Sequence, residues 1–261
     1  EEEKVIEFVS KKLASGKRIH ELELLNRLMH YQHGIMGILK QSLNEKYHCL
    51  MDSICEKNLV NIMTNEFPTS MAKKTYAQCV FLEREGRDYG ISDSFSKMLK
   101  NPDFYLMLQE LVDFGITRYQ ENYSSRYQDT NLVLYKKYTY EDVCRLLNWQ
   151  RNMNAQNIGG YFYDATTKTL PVFINYDKAE DAIAYEDRFV TRENLIALSK
   201  HPRKVNSSDA DHFFKRTESD KENKILLFVR KNKDDKEAKE FYFLGEVFAQ
   251  GEPIPIKMEK T

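Results

Sequence analysis

The stretch of the sequence most suggestive of chemistry is NIGGYFYDATTKTLPVFINYDK, residues 157–178. It contains two adjacent glycines, followed by aromatic residues on both sides of a polar turn. Two interpretations are open: a hairpin whose aromatic side chains fill the core of its own domain, or a pocket in which a flat ligand stacks between tyrosine rings. The glycines precede a strand and lack the GxxxxGK[ST] pattern, which excludes a P-loop. They allow a positive φ or a close approach of another backbone.

A metal site is the next kind of chemistry to consider. The candidate ligands are histidines and cysteines in the first quarter of the chain, namely His30, His33, His48, Cys49 and Cys55. The cluster contains no CxxC pair, which zinc sites commonly have. We therefore expect these side chains to occupy core and surface positions on helices, and no metal or cofactor to be bound.

Nucleophilic catalysis would need a cysteine or serine with a histidine beside it. Cys144 could pair with His201 or His212, but its neighbours Val143 and Leu147 indicate a small buried core residue. Acids at strand ends are mostly turn residues, so they do not indicate acid–base catalysis. We expect no enzymatic activity from this chain.

A basic segment, SKHPRKVNSSDADHFFKR, covers residues 199–216. Five cations (Lys200, Arg203, Lys204, Lys215 and Arg216) face two acids (Asp209 and Asp211), which gives a local charge of 5 − 2 = +3. Such a segment can contact phosphate oxygens, with serines such as Ser199 as additional donors. The alternative is a solvated loop.

The elements that would position these residues differ between the two halves of the chain. Up to about residue 130, apolar residues recur every three or four positions, which predicts five or six helices. One of them is expected to begin with Asn101 as N-cap and Pro102 at the first helical position. The polar stretch NYSSRYQDTN, residues 122–131, separates a helical domain (1–130) from a β-rich domain (131–261).

In the second half one short helix, TYEDVCRLLNW, is predicted to open with a capping box between Thr139 and Asp142. Short apolar runs then predict strands at GYFYD (160–164), LPVFINY (170–176), RFV (188–190), ILLFVR (225–230) and EFYFLGEVF (240–248). The charged run 231–240 is predicted to be a hairpin loop. The fold class is therefore α+β.

Composition limits the functional classes further. The net charge of −1 gives no general argument for nucleic-acid binding, so any such binding depends on a local patch. The apolar runs are too short to cross a membrane, and four scattered cysteines favour a reducing cytoplasm over a disulfide framework. The opening EEEKVIEF, without Met, suggests a piece of a longer polypeptide.

The second half also carries a resemblance. The succession YTYEDVCRLLNW, GGYF, LPVFINYDK, YEDRFVTRENLIALSKH, ILLFVRKN and EFYFLGEV, over about 138–248, resembles the C-terminal region of SauUSI-like type IV restriction enzymes. Enzymes of that family join a phospholipase D-like nuclease and an ATP-driven motor to a domain that recognises DNA containing 5-methylcytosine or 5-hydroxymethylcytosine. The resemblance implies that this chain is the recognition part, with a curved, mostly antiparallel, SRA-like or PUA-like β domain that flips the modified base.

The implied partners are double-stranded DNA carrying modified cytosine and the nuclease and helicase domains of a parent protein, which could be a homodimer. ATP and Mg²⁺ would be needed only by the parent motor. The alternative is a structural docking domain of a helicase-like protein that does not contact DNA.

A flipped base needs an aromatic face, an acceptor for its N4 amino group and donors for its other edge. The candidates for these roles are Tyr161, Tyr163 and Tyr176 for stacking, Asp164 or Asp177 as acceptor, and Asn157 or Asn175 as donor. Strand alternation predicts that Phe162 and Phe173 instead face the core. Trp149 could stack on the base or fill the seam between helix and sheet. Candidates for backbone contacts are Lys178, Ser199, Lys200, Arg203, Lys204, Lys215 and Arg216.

Overall fold

The computed structural model describes residues 1–153, 158, 160–176, 187–199, 203–231 and 239–255. The chain forms two compact units. The N-terminal unit comprises Glu1–Val133 and Cys144–Met153, and the C-terminal unit comprises Leu134–Val143 and Asn154–Thr261. Helices dominate the first unit and a curled mixed sheet the second, which confirms the predicted α+β class.

The N-terminal unit contains seven α-helices. They are α1 (Glu2–Phe8, followed by a π-helical turn, Val9–Leu13), α2 (Ile19–Leu28), α3 (Ile35–Tyr47), α4 (Ser53–Met63), α5 (Ser70–Thr75), α6 (Asp93–Met98) and α7 (Pro102–Asn122). The unit also contains a β-hairpin, β1 (Leu82–Glu85) and β2 (Asp88–Ile91), which helical periodicity did not predict. The predicted start of α7 is confirmed, because the Asn101 side chain accepts from the backbone N–H of Asp103 and Pro102 opens the helix.

A buried carboxylate organises the core of this unit. Glu21 is 0% exposed, and its Oε1 accepts from Arg18 Nη2 at 2.6 Å and from Arg145 Nη1 at 3.0 Å. Burial alone would raise the pKa of Glu21, but the two guanidinium groups outweigh burial and hold the pKa well below its usual range. The carboxylate is therefore charged inside the protein, which requires both cations to stay in place.

The segment Cys144–Met153 supplies one of these cations, although it lies beyond the predicted domain boundary at residue 130. Other contacts also hold it in the N-terminal unit. The Asn61 Nδ2 donates to the backbone oxygen of Gln150 at 2.7 Å, and the ring of Trp149 is 2% exposed. The unit is thus completed by a segment that is distant in sequence.

The C-terminal unit is built on four strands in the order β3-β8-β7-β4. Their bounds are β3 (Lys137–Tyr138), β4 (Thr169–Asn175), β7 (Lys224–Arg230) and β8 (Phe241–Glu246), and a separate two-stranded sheet pairs β5 (Arg188–Phe189) with β6 (Leu195–Ile196). The sheet is mixed: most pairings are antiparallel, as expected, but the longest one, β4 with β7, runs parallel over seven residues. The pairs β7–β8 and β3–β8 are antiparallel.

Both faces of the sheet are buried at its two longest strands, β4 and β7. One face, here called the apolar face, carries Leu170, Val172 and Ile174 of β4 against Ile225, Leu227 and Val229 of β7. The other carries aromatic rings, with Phe173 at 4.5 Å from Tyr140 and 5.1 Å from Phe228 between ring centroids. Strands buried on both faces have continuous apolar sequences, which explains the runs LPVFI and ILLFV.

Two short helices flank the sheet in sequence. The helix α8 (Tyr140–Leu146) opens with the predicted capping box, since the backbone N–H of Thr139 donates to Asp142 Oδ2 at 2.9 Å and that of Asp142 donates to Thr139 Oγ1 at 3.1 Å. The helix α9 (Ser208–Phe214) lies within the basic segment that the sequence analysis interpreted as a loop, and a 3₁₀ turn (Glu218–Asp220) follows it. None of the helices described is both long and apolar enough to cross a membrane.

We expect Arg145→Ala to destabilise the protein by about 3–5 kcal/mol, because the buried Glu21 would lose one of its cationic partners. Urea denaturation measures the change in the free energy of unfolding. The fluorescence of Trp149, the single tryptophan, follows it on the segment that carries Arg145. The exposed Arg151 provides the control, and Arg151→Ala should change stability by less than about 0.5 kcal/mol. Equal effects of the two substitutions would show that the ion pair does not hold the segment.

A second prediction concerns His20, which is 2% exposed and whose Nδ1 has no hydrogen-bond partner within the described chain. Burial and the charge of Arg18 lower its pKa from 6.5 to about 3. Between these values the unfolded chain binds a proton that the folded chain does not, so stability falls as pH falls, by up to about 1.4 kcal/mol per pH unit. Urea denaturation of the wild type and of His20→Leu from pH 7 to pH 5 should show this extra loss in the wild type only, and parallel curves would contradict it.

Candidate functional site

The candidate site lies against the apolar face of the C-terminal sheet and is formed by Tyr163, His212, Asp220 and Asn223, here called the Tyr163 cluster. Its members come from four places in the chain. Tyr163 belongs to the segment 160–164, His212 to α9, Asp220 to the 3₁₀ turn, and Asn223 directly precedes β7. Two antiparallel bridges, Tyr161 with Val172 and Asp164 with Thr169, place the segment that contains Tyr163. This segment is the predicted strand 160–164.

The central contact is a ring stack. The centroids of the Tyr163 and His212 rings are 3.8 Å apart, and the ring planes differ by 23°. The two rings are therefore in full face-to-face contact, with both side chains partly buried.

A buried carboxylate fixes the edge of the histidine ring. Asp220 is 3% exposed, and its Oδ1 lies 2.7 Å from His212 Nδ1. A carboxylate only accepts hydrogen bonds, so Nδ1 carries the proton. Burial would raise the pKa of Asp220, but hydrogen bonds from Thr217, His212 and Asn223 outweigh it and hold the pKa below its ordinary value.

An amide closes the cluster. Asn223 is 0% exposed, its Nδ2 donates to Asp220 Oδ1 at 3.0 Å, and its Oδ1 accepts from the Tyr163 hydroxyl at 2.9 Å. Burial and the charge of Asp220 raise the pKa of Tyr163, which keeps the hydroxyl protonated as the donor. The cluster thus combines an aromatic face, a buried acceptor for a ring N–H, and an amide, which together can hold a flat nitrogen heterocycle.

Tyr161 does not have the exposed face that stacking on a base requires. Its ring is 6% exposed and packs edge-on against Phe213 at 5.0 Å, and its hydroxyl donates to Asp209 Oδ2 at 2.9 Å and lies 3.0 Å from Ser199 Oγ. Tyr161 and Tyr163 do lie on one side of the segment, as strand alternation predicted, but that side faces the apolar face of the sheet: Tyr161 belongs to the buried cluster there and Tyr163 packs against it. Phe173 is buried as predicted, whereas Phe162 is only partly buried.

Two other residues of the hairpin, Asp164 and Gly160, have local structural roles. The carboxylate of Asp164 accepts from the backbone N–H of Thr167 at 2.9 Å and from its hydroxyl at 2.8 Å, as a turn residue does. Gly160 has a φ of +94°, and a Cβ at this position would meet nothing within 4 Å. The requirement for glycine is therefore conformational, and the space beside it is open.

At the carboxyl end of β4 the structure places a second aromatic side chain. Tyr176 is 48% exposed, and its backbone N–H donates to the backbone oxygen of Arg230 at 3.1 Å. Asn175 Oδ1 accepts from Arg230 Nε at 2.6 Å. Tyr176 is thus available for stacking at the surface, while Asn175 orients the neighbouring guanidinium group.

The basic segment is less positive than its composition predicts. Arg203 pairs with Asp209 at 2.5 Å, and Arg216 lies 3.6 Å from Asp211. Lys215 has its ammonium group 5.3 Å from the centre of the Phe248 ring, and Lys204 is exposed. Two of the expected phosphate-binding groups are therefore engaged with acids of α9.

Several predicted residues do not enter this site. Asn157, Asp177, Lys178, Lys200 and His201 lie outside the described residues. Trp149 is buried in the N-terminal unit, and Cys144 is 0% exposed, as predicted for a core residue. Among the described residues, no group of three potential ligands could hold a metal ion.

The sequence patterns do not indicate Asp220 or Asn223 as site residues, and they indicate His212 only as a possible partner of Cys144. One signal was present: Thr217 and Asp220 are three residues apart just before an apolar strand, the spacing of a local side-chain cap. The Thr217 hydroxyl does donate to Asp220 Oδ2. Nothing in the sequence relates Tyr163 to a histidine 49 positions away, that is 212 − 163.

We expect Asn223→Ala to destabilise the protein by about 1–3 kcal/mol, because the substitution removes one donor from a buried carboxylate and the acceptor of the Tyr163 hydroxyl. The exposed Asn206 provides a control, and Asn206→Ala should change stability by less than about 0.5 kcal/mol. Thermal denaturation followed by circular dichroism gives both values. Similar melting temperatures for the two variants would indicate that the cluster is not fixed.

Two family models match the chain. One, described as a domain of unknown function (DUF3427), matches residues 132–261, and the other, described as a domain of unknown function (DUF8090), matches residues 1–123. No curated protein matches the chain closely enough to be reported as a relative. The two halves of the chain are therefore similar to two different families.

Proposed function

We propose that the C-terminal unit recognises duplex DNA that carries 5-methylcytosine or 5-hydroxymethylcytosine. In this proposal it receives the flipped base in an SRA-like or PUA-like manner and directs the nuclease and helicase domains of a parent type IV restriction enzyme. The observation that supports it best is the Tyr163 cluster. There the flat imidazole ring of His212 stacks on Tyr163 and meets the buried carboxylate of Asp220.

The chemistry of the cluster suits cytosine. Stacking on one tyrosine contributes about 1–3 kcal/mol per base, comparable with the few kcal/mol that flipping costs. The N4 amino group of cytosine is a donor, and Asp220 is the buried acceptor that it would meet. The Asn223 amide also makes a 3.4 Å contact with the backbone oxygen of His212, and this second N–H can instead serve the N3 or O2 acceptor while the first stays on Asp220. Asp220 thereby takes the role that the sequence analysis gave to Asp164 or Asp177.

The cations of the basic segment are expected to contribute modestly to the affinity for DNA. Arg203 and Arg216 would have to leave their acidic partners to contact phosphates, whereas Lys204 is exposed and Lys215 has its ammonium group over the Phe248 ring. Lys178 and Lys200 would add to them under the same proposal. Four phosphate contacts correspond to a slope of about −4 in log K against log salt concentration.

Discrimination of the modified base is expected to be limited in this chain alone. One methyl group in an apolar slot distinguishes two ligands by about 1–3 kcal/mol, or about 10- to 200-fold. We propose that the parent protein increases this selectivity through its ATP- and Mg²⁺-dependent motor or through a second copy in a homodimer. The four buried free cysteines suit the reducing cytoplasm in which such an enzyme would act.

The alternative function is a docking domain that contacts the helicase part of a parent protein and not DNA. Three apolar side chains on the outside of α7 favour it: Leu106 is 60% exposed, Met107 50% and Phe114 54%. Exposed apolar residues on one helix are typical of a protein contact. This alternative predicts that the chain binds no duplex, which separates it from the first proposal.

The test is a fluorescence anisotropy titration of the chain with three duplexes that differ at a single cytosine, which is unmodified, methylated or hydroxymethylated. We expect at least about 10-fold tighter binding to a modified duplex. Tyr163→Ala and Asp220→Asn should abolish that preference, because they remove the stacking face and the charged acceptor.

Two control variants sharpen this titration. Tyr31→Ala removes a tyrosine in the N-terminal unit whose exposure (45%) is similar to that of Tyr176 (48%), and it should leave binding unchanged. Tyr176→Ala should weaken binding to all three duplexes alike, because this residue lies outside the Tyr163 cluster. Equal binding of the three duplexes by the wild type would refute the recognition of the modification.

A further inference from the structure

We infer that His212 is a built-in occupant of the base-binding slot and that a flipped base enters by displacing its ring. The inference rests on the proposed function and adds a means by which the protein controls access to its own site. It makes His212 a residue that opposes binding, although it lies at the centre of the cluster.

The geometry of His212 is that of a bound ligand. Its ring lies 3.8 Å from the Tyr163 ring, closer than the 4.5 Å between Tyr140 and Phe173 in the aromatic core of the same unit. Its protonated Nδ1 points to Asp220, as the amino group of cytosine would. Tyr163 cannot stack on the imidazole and on a base through the same face, so the two rings compete for one position.

The rest of the cluster can stay in place when the ring leaves. Asp220 and Asn223 are buried and bonded to each other, and the Thr217 hydroxyl also donates to Asp220. The carboxylate therefore keeps two donors without His212. An incoming N–H donor would restore the third, so the exchange leaves no buried charge without partners.

Two contacts hold the His212 side chain, the stack on Tyr163 and the hydrogen bond to Asp220. Its side chain is 24% exposed, and Nε2 has no hydrogen-bond partner among the described residues. It projects from α9, a helix of seven residues that has no side-chain hydrogen bond at its N-cap Ser207 and ends at Lys215 with a φ of +50°. A rotation of the side chain towards solvent needs only the loss of one stack and one hydrogen bond.

Because the His212 ring occupies the slot, the apparent affinity for a base equals the affinity of the open slot multiplied by the fraction of molecules in which the slot is open. If about one molecule in ten has the ring displaced, the apparent dissociation constant is about tenfold higher than that of an open slot. A base that stacks on Tyr163 and donates a hydrogen bond to Asp220 replaces the two contacts that the His212 ring loses. A ligand without that donor would leave Asp220 with one partner fewer and would be disfavoured.

The experiment combines binding with a direct report on the ring. With fluorescence anisotropy and the methylated duplex used above, His212→Ala should bind about tenfold more tightly than the wild type. His212→Phe, which keeps a ring over Tyr163, should gain less. Ser208→Ala, a neutral change at an exposed position of the same helix, should bind as the wild type does.

The second readout uses the wild-type protein and is independent of variant folding. The ring-current field of Tyr163 shifts the His212 ring protons upfield, and NMR of histidine-labelled protein identifies them by their loss in His212→Ala. Saturation with the methylated duplex should move these signals downfield. Unmoved signals, or weaker binding by His212→Ala, would overturn the inference while leaving a duplex preference of the wild type intact. No preference for the modified duplex in any variant would refute both the proposed function and this inference.

Discussion

The buried charge of Asp220 is the constraint on which the candidate site depends. Its carboxylate needs hydrogen-bond donors that the apolar sheet cannot supply, and it obtains them from Thr217, His212 and Asn223. These donors come from α9, from the N-cap of the 3₁₀ turn and from the residue before β7, so satisfying one charge ties these consecutive elements together. Tyr163 is then placed by Asn223 through its hydroxyl and by His212 through its ring.

The N-terminal unit also contains a buried carboxylate, and there the partners are two arginines. Glu21 is buried between Arg18 and Arg145, and the second arginine comes from a segment that follows the first ten residues of the C-terminal unit. A buried ion pair of this kind contributes little net stability compared with apolar packing, but breaking it is costly. It therefore specifies which segment completes the unit, whereas the Asp220 network specifies which side chains line a site.

Local signals predicted the parts of the fold that depend on neighbouring residues. The N-cap of α7, the capping box of α8 and the positions of β4, β7 and β8 all follow from patterns within a few residues. The parallel pairing of β4 with β7 depends on contacts about 55 positions apart, for example Thr169 with Lys224, and the apolar runs do not specify strand direction. For the same reason the sequence indicated Tyr163 but not its partners. Alternation correctly placed Tyr161 and Tyr163 on one side of their segment, but it could not show that this side faces the apolar core.

Photo-crosslinking tests the central claim, that Tyr163 stacks on the modified base, most directly. A duplex with 5-iodocytosine at the target position carries a substituent in place of the methyl group, and irradiation joins that base to an aromatic residue in contact with it. Mass spectrometry of the tryptic digest should locate the crosslink at Tyr163, in the peptide of residues 152–168 between Arg151 and Lys168. A crosslink at Tyr176 or in the N-terminal unit, with none at Tyr163, would contradict the account.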